Sequence, residues 1–171
     1  MSRHDIVADR LKAQSIDDPL AVLMQIGETE SQFSFVDHTL NVMTLPIGYR
    51  GISERYFKHT PPTYDEIEYA INDIEDEIER VAKHIPHDGY HLVTDTAYIK
   101  TIAKLTRFDD TVPTMLSRDE MERLFGEYAE IVTGRPARSY EPDISPLFYA
   151  QLLIFREYMH HLKFTHVKLI G

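Results

Sequence analysis

A mixed α/β fold, a five-stranded sheet with helices on both faces, is predicted by three observations. Residues 20–46 read as three short strands joined by two tight turns. Residues 63–84 carry apolar side chains at the three-four spacing of a long amphipathic helix. Beyond them, strand-like and helical stretches alternate as far as His166–Ile170, the pattern of crossover connections.

Residues 4–15 have a narrow apolar stripe, Ile6 or Val7 with Arg10 or Leu11, and predict a short helix that Asp17-Asp18-Pro19 stops. Leu20 to Met24 is a continuous apolar run, which suits a central strand covered on both faces. Phe33 and Phe35 alternate with Gln32 and Ser34, so the second strand buries one face. Leu40, Val42 and Met43 give a third strand, bounded by Pro46 and Gly48. Gly48 to Phe57 predicts a helix with Ile52, Tyr56 and Phe57 inward.

Thr63 and Glu66 form a capping box that opens the long helix, whose inward stripe is Ile67, Ala70, Ile71, Ile74, Ile78, Val81 and Ala82. Its other face holds Asp65, Glu68, Asp73, Glu75, Asp76 and Glu79 and reads as solvated. Tyr90 to Val93 is a fourth strand and 96–105 a further helix. Ser117 with Glu120 is a second capping box, before a helix that buries Met121, Leu124, Phe125, Tyr128, Ile131 and Val132. Gly134 and Pro136 end it. Pro146 sits in the first turn of the last helix, ~145–163, where a missing N–H costs little. Leu152 to Phe155 make that helix apolar nearly all round, so it is expected between layers. His166 to Ile170 supply the fifth strand.

At 171 residues the chain predicts one domain over 20–171, preceded by a helix and linker over 1–19. A chain of this size buries roughly two thirds of its unfolded surface, and 43% hydrophobic residues suffice for that core. No apolar run approaches a membrane span, and no secretory leader is apparent. The absence of cysteine excludes disulfides and fits a cytoplasmic protein. A formal charge of −10 argues against nucleic acid and anionic membranes as partners.

Three antiparallel strands followed by parallel crossovers describe a ribonuclease H-like unit, the half-domain of actin-like ATPases. Particular residues sharpen this. Leu45-Pro46-Ile47-Gly48 and Ser53-Glu54-Arg55-Tyr56-Phe57, followed by Pro61-Pro62-Thr63, resemble the segment after the phosphate hairpin in the exopolyphosphatase and guanosine-pentaphosphate phosphatase (Ppx/GppA) family. Leu116-Ser117-Arg118-Asp119-Glu120 is similar to the motif before that family's extra helix. The resemblance covers about residues 20–170 and implies the second actin-like half, without the first half that supplies the catalytic acid.

The family's functional residues do not carry over. Where it reads Asp-Ile-Gly-Gly-Gly-Ser-Thr-Glu, this chain has Gln25-Ile26-Gly27-Glu28-Thr29-Glu30-Ser31-Gln32. Its second glycine-threonine loop aligns with Thr94-Asp95-Thr96-Ala97-Tyr98, which has no glycine. Its Arg-Ala-Asp falls near Ile144-Ser145-Pro146. Glycines let backbone N–H groups approach phosphate, whereas Glu28 and Glu30 repel it. Two unit charges ~4 Å apart cost about 4 kcal/mol at an effective dielectric near 20. The degenerate phosphate loops are therefore Gly27, Glu28, Thr29, Glu30, Ser31, Thr94, Asp95 and Thr96, with no catalytic residue and no cofactor expected.

The expectation is a non-catalytic domain acting through protein association, as a homodimer or with a partner replacing the first half. Tyr98, Tyr140, Leu147, Phe148 and Tyr149 are the candidate interface residues. The alternative is a phosphatase or phosphate- or nucleotide-binding member, using Mg²⁺ and completed by another chain. Glu28, Glu30 and Asp95 would form a cation site if their loops met, although exposed loop acids are the favoured reading. No metal site is expected from the histidines. His84, His87 and His91 lie close in sequence, and His160 and His161 are adjacent, pointing about 100° apart on a helix. Arg135, Arg138 and Lys163 read as surface charges rather than an anion site.

Overall fold

A computed structural model describes residues 19–107, 109 and 111–171. The helix expected over 4–15 lies outside the described residues, as does nearly all of the linker. Among the described residues six strands form one sheet: β1 (Ala21–Ile26), β2 (Ser31–Asp37), β3 (Thr39–Leu45), β4 (His91–Thr94), β5 (Met115–Ser117) and β6 (His166–Leu169). The helices are α1 (Tyr49–Tyr56), α2 (Tyr64–Val81, continued by a 3₁₀ turn over Ala82–His84), α3 (Ala97–Leu105), α4 (Arg118–Val132) and α5 (Pro146–His161).

The spatial order is β3-β2-β1-β4-β6-β5. β1, β2 and β3 are the expected antiparallel meander, with Leu23 opposite Ser34 and Phe33 opposite Met43. His38 turns β2 into β3 at φ 57. β4 runs parallel to β1, and β6 parallel to β4. The sheet has one strand more than the five expected. β5 is only three residues long and pairs antiparallel with β6, Leu116 opposite Val167. In sequence Ser117 announces only the helix start, because three residues show no period.

Local signals account for the helix starts. Thr63 and Glu66 make the expected reciprocal capping box, at 3.2 and 2.8 Å. At α4 the Ser117 hydroxyl accepts from the Glu120 N–H at 3.1 Å. The Glu120 carboxylate reaches the Ser117 hydroxyl and Arg107 instead of closing the box on the backbone. Ser145 caps α5, with Pro146 in its first turn.

Both connections between parallel strands, β3 to β4 and β4 to β6, advance the same way across the sheet. All five described helices bury their apolar residues in one cluster with Val22, Met24, Phe33 and Val167. The mixed α/β architecture expected from the sequence is thus found, with six strands in place of five. Ala21, Leu23, Val93 and Ile170 form a smaller buried cluster on the other side of the sheet. α5 touches α1, α2 and α4. Ten of its sixteen residues are buried, which fits its all-round apolar pattern. Phe33 of β2 meets Tyr158 of α5 edge-on at 4.8 Å.

Candidate functional site

The candidate site is the end of the sheet where β1 and β4 stop. Because these strands are parallel neighbours, the loops after them meet there. Gln25 donates to both oxygens of Asp95 at 3.2 and 3.3 Å. The Ile26 N–H donates to the Thr96 hydroxyl at 3.1 Å, and the Thr94 hydroxyl donates to the Met24 carbonyl at 2.7 Å. Thr94, Asp95 and Thr96 therefore dock one loop onto the end of β1.

The β1–β2 turn is held from its other side. The Gly27 N–H closes it on the Glu30 carbonyl at 2.8 Å. Tyr49 N–H donates to the Gly27 carbonyl, and Arg50 and Gly51 N–H to the Glu28 carbonyl, at 3.0–3.2 Å. These are free first-turn donors of α1, the kind of group that elsewhere binds anions. Here the turn's own carbonyls occupy them. Arg50 also pairs with the Glu28 carboxylate at 3.2 Å across exposed surface. Gly48 makes the approach possible: a Cβ there would lie 2.3 Å from the Glu28 carbonyl and the Thr29 nitrogen. Ser31 is fully buried, and its hydroxyl donates to the Ile47 carbonyl at 2.6 Å. It is a structural residue. Glu28, Thr29 and Glu30 remain exposed.

Of the sequence-predicted loop residues, the structure brings the 25–26 and 94–96 segments together. It does not gather Glu28, Glu30 and Asp95 within ligand distance of one another. The interface candidates divide. Tyr140 and Leu147 are 61% and 43% exposed. Phe148 and Tyr149 are buried, contrary to the expectation. The first turn of α5 points them at α4, where both rings pack on Tyr128 and the Tyr149 hydroxyl donates to the Tyr128 carbonyl at 2.7 Å. Tyr98 is half-buried against Tyr49, rings 5.4 Å apart, and burial pushes its hydroxyl well above the usual tyrosine range.

Two polar constellations escape a reading by sequence alone. Arg135 donates to both oxygens of buried Glu141 at 2.9 and 2.8 Å and to Glu130 at 2.8 Å. Arg138 adds its backbone N–H to Glu141 at 2.8 Å and lays its guanidinium near the Tyr140 ring. Arg135 is therefore an internal clamp and not simply a surface charge. The second joins α2 to α5: His161 Nε2 lies 3.2 Å from Glu75 and 2.9 Å from Glu157. Glu157 and His161 stand four apart on one helix, which the sequence shows; the arrival of Glu75 it does not.

No protein-family model matches the chain. No curated protein matches it either. Solved structures do. A Ppx/GppA enzyme of Aquifex aeolicus superposes with TM-score 0.67 over 87% of this chain and 52% of its own, at 18% identity. An exopolyphosphatase of Cytophaga hutchinsonii gives 0.64 over 99% of this chain and 67% of its own, at 14% identity. An exopolyphosphatase-like protein gives 0.67, covering 87% and 53%, at 12% identity. The chain thus spans about half the length of the first of these structures. Its fold is that of one actin-like half of the Ppx/GppA proteins.

Proposed function

We propose that the chain is a non-catalytic actin-fold domain that acts by associating with another protein chain, a second copy of itself or one standing where the first half of its structural neighbours stands. The observation that carries the reading is the internal use of the strand-end polar groups. The α1 amides serve the turn's carbonyls, Asp95 serves Gln25, and the hydroxyls of Thr94, Thr96 and Ser31 serve backbone groups. An entering phosphate would have to displace these bonds and approach Glu28 and Glu30. Exposed Tyr140 and Leu147 are the anchors offered to a partner.

The second reading is a phosphatase or phosphate-binding unit that works with Mg²⁺ and is completed by another chain. The half-length match favours it. Incubation of the purified chain with polyphosphate or guanosine pentaphosphate and Mg²⁺ separates the two. Phosphate release is expected to equal that of a heat-denatured blank. Turnover that disappears in Glu28→Gln or Glu30→Gln would establish the second reading instead. Light scattering at micromolar concentration tests self-association, with a mass near twice 19.9 kDa expected for a two-fold dimer. A mass of 19.9 kDa would remove the dimer.

A further inference from the structure

We propose that Glu75, Glu157 and His161 bind one divalent transition-metal ion, Zn²⁺ by the chemistry of the donors, and that the ion fastens α2 to α5. One donor atom from each of the three residues falls within 4.8 Å of the others. His161 Nε2 is 2.9 Å from Glu157 Oε2 and 3.2 Å from Glu75 Oε1. Ligands ~2.1 Å from a tetrahedral zinc are separated by roughly 3.4 Å, so the two His161 distances need only widen slightly while the two carboxylate oxygens, within 4.8 Å of each other, settle to the same spacing. A proton on Nε2 makes one straight hydrogen bond, yet two carboxylate oxygens face that nitrogen. A dication at the common point satisfies both.

The surroundings fit a metal ligand set. Glu157 is 1% exposed, and its carboxylate leaves one oxygen for His161 while Arg156 holds the other at 3.0 Å. Arg156 is itself fixed by Glu122 at 3.2 Å and lies 4.4 Å over the Phe125 ring. This is the outer support that orients ligating carboxylates. The charge of Arg156 is balanced by Glu122, so Glu75 and Glu157 match a dication. An imidazole with two carboxylates favours Zn²⁺ over Mg²⁺, which prefers oxygen and bound water.

Access exists as well. His161 lines an open cavity of about 460 Å³ with Lys83, Pro86, His87 and Lys163, so one of the three ligands borders open space. Glu157 and His161, four apart on α5, supply two ligands from one rigid element.

The test is calorimetric titration of the full chelator-treated chain with Zn²⁺ at neutral pH, with Mg²⁺ alongside and Co²⁺ absorption as a report on four-coordination. One saturable equivalent of Zn²⁺ is expected, and its affinity should fall at least ~10-fold in Glu75→Gln and in His161→Gln. The His160→Gln and His87→Gln variants should retain it, and the melting temperature should rise with Zn²⁺ in the parent chain. Absence of saturable binding, or undiminished affinity in Glu75→Gln, overturns the site. Equal loss in His87→Gln also overturns it, by placing the ion elsewhere. If His161→Gln does not fold, Glu75→Gln decides alone, since that side chain is 36% exposed.

Discussion

Gly48→Ala is expected to destabilise the protein by about 3 kcal/mol, a fall in melting temperature of roughly 6–12 °C for a chain of this length. The added methyl would sit 2.3 Å from three backbone atoms of Glu28 and Thr29. Backbone cannot swing aside as a flexible side chain does, so the turn must lift from α1. Lifting breaks the bonds from Tyr49, Arg50 and Gly51 to the turn's carbonyls. Gly51→Ala, one turn along, is the control. A Cβ there meets nothing within 4 Å, and a helical alanine should stabilise by roughly 0.5–1 kcal/mol. Urea unfolding of the two variants measures the contrast. Equal effects, or a loss at Gly48 below about 1 kcal/mol, would mean that the turn is not seated as described. A freed turn would also expose the α1 amides, so the same variant should gain phosphate affinity if those amides are what the turn occupies.

The second large effect lies at the other side of the molecule. Glu141→Gln should cost roughly 2–3 kcal/mol near neutral pH, because it leaves Arg135 facing an amide in place of a carboxylate. Glu141 is 2% exposed and lies in the irregular segment between α4 and α5, which the Arg135 fork fastens. Hydrogen bonds from Arg135 hold its carboxyl below the ordinary glutamate value of 4.5, outweighing the opposing effect of burial. A depressed folded-state value means the contribution is complete above the unfolded value and is lost as pH falls through the folded one. The gap between parent and variant should therefore narrow as pH drops below about 4.5, and stay constant above about 6. Denaturant midpoints measured along that range check the sign. A gap that is unchanged down to about pH 3 would show that the ion pair contributes nothing.

Glu157 behaves in the opposite sense. Burial raises its carboxyl above the usual range, even with Arg156 and His161 beside it. The charged form of Glu157 therefore detracts from stability at neutral pH.

Much of the architecture was legible in sequence because it is written locally. The continuous run of β1 predicts a strand covered on both faces, and Ala21 to Met24 are all buried. The stripe from Ile67 to Ile78 and the Thr63 box predict α2, which forms with both capping bonds. The degenerate turn at Gly27–Ser31 was visible too, as a list of residue types. Three-residue β5 was not, since it becomes a strand only when β6 lies beside it.

What the residue types alone determined is the order of elements, the faces they bury, and the presence of acids where a phosphate loop would need glycines. Which polar groups find one another was decided by the tertiary structure. Ser31 turns inward to Ile47, Phe148 and Tyr149 turn onto Tyr128, and Glu75 leaves its acidic face to meet His161, 86 residues away. Helical and strand periods say which way a side chain points relative to its own element. They carry no information about which distant element will stand opposite, because that pairing is fixed by crossover direction and core packing across the whole chain.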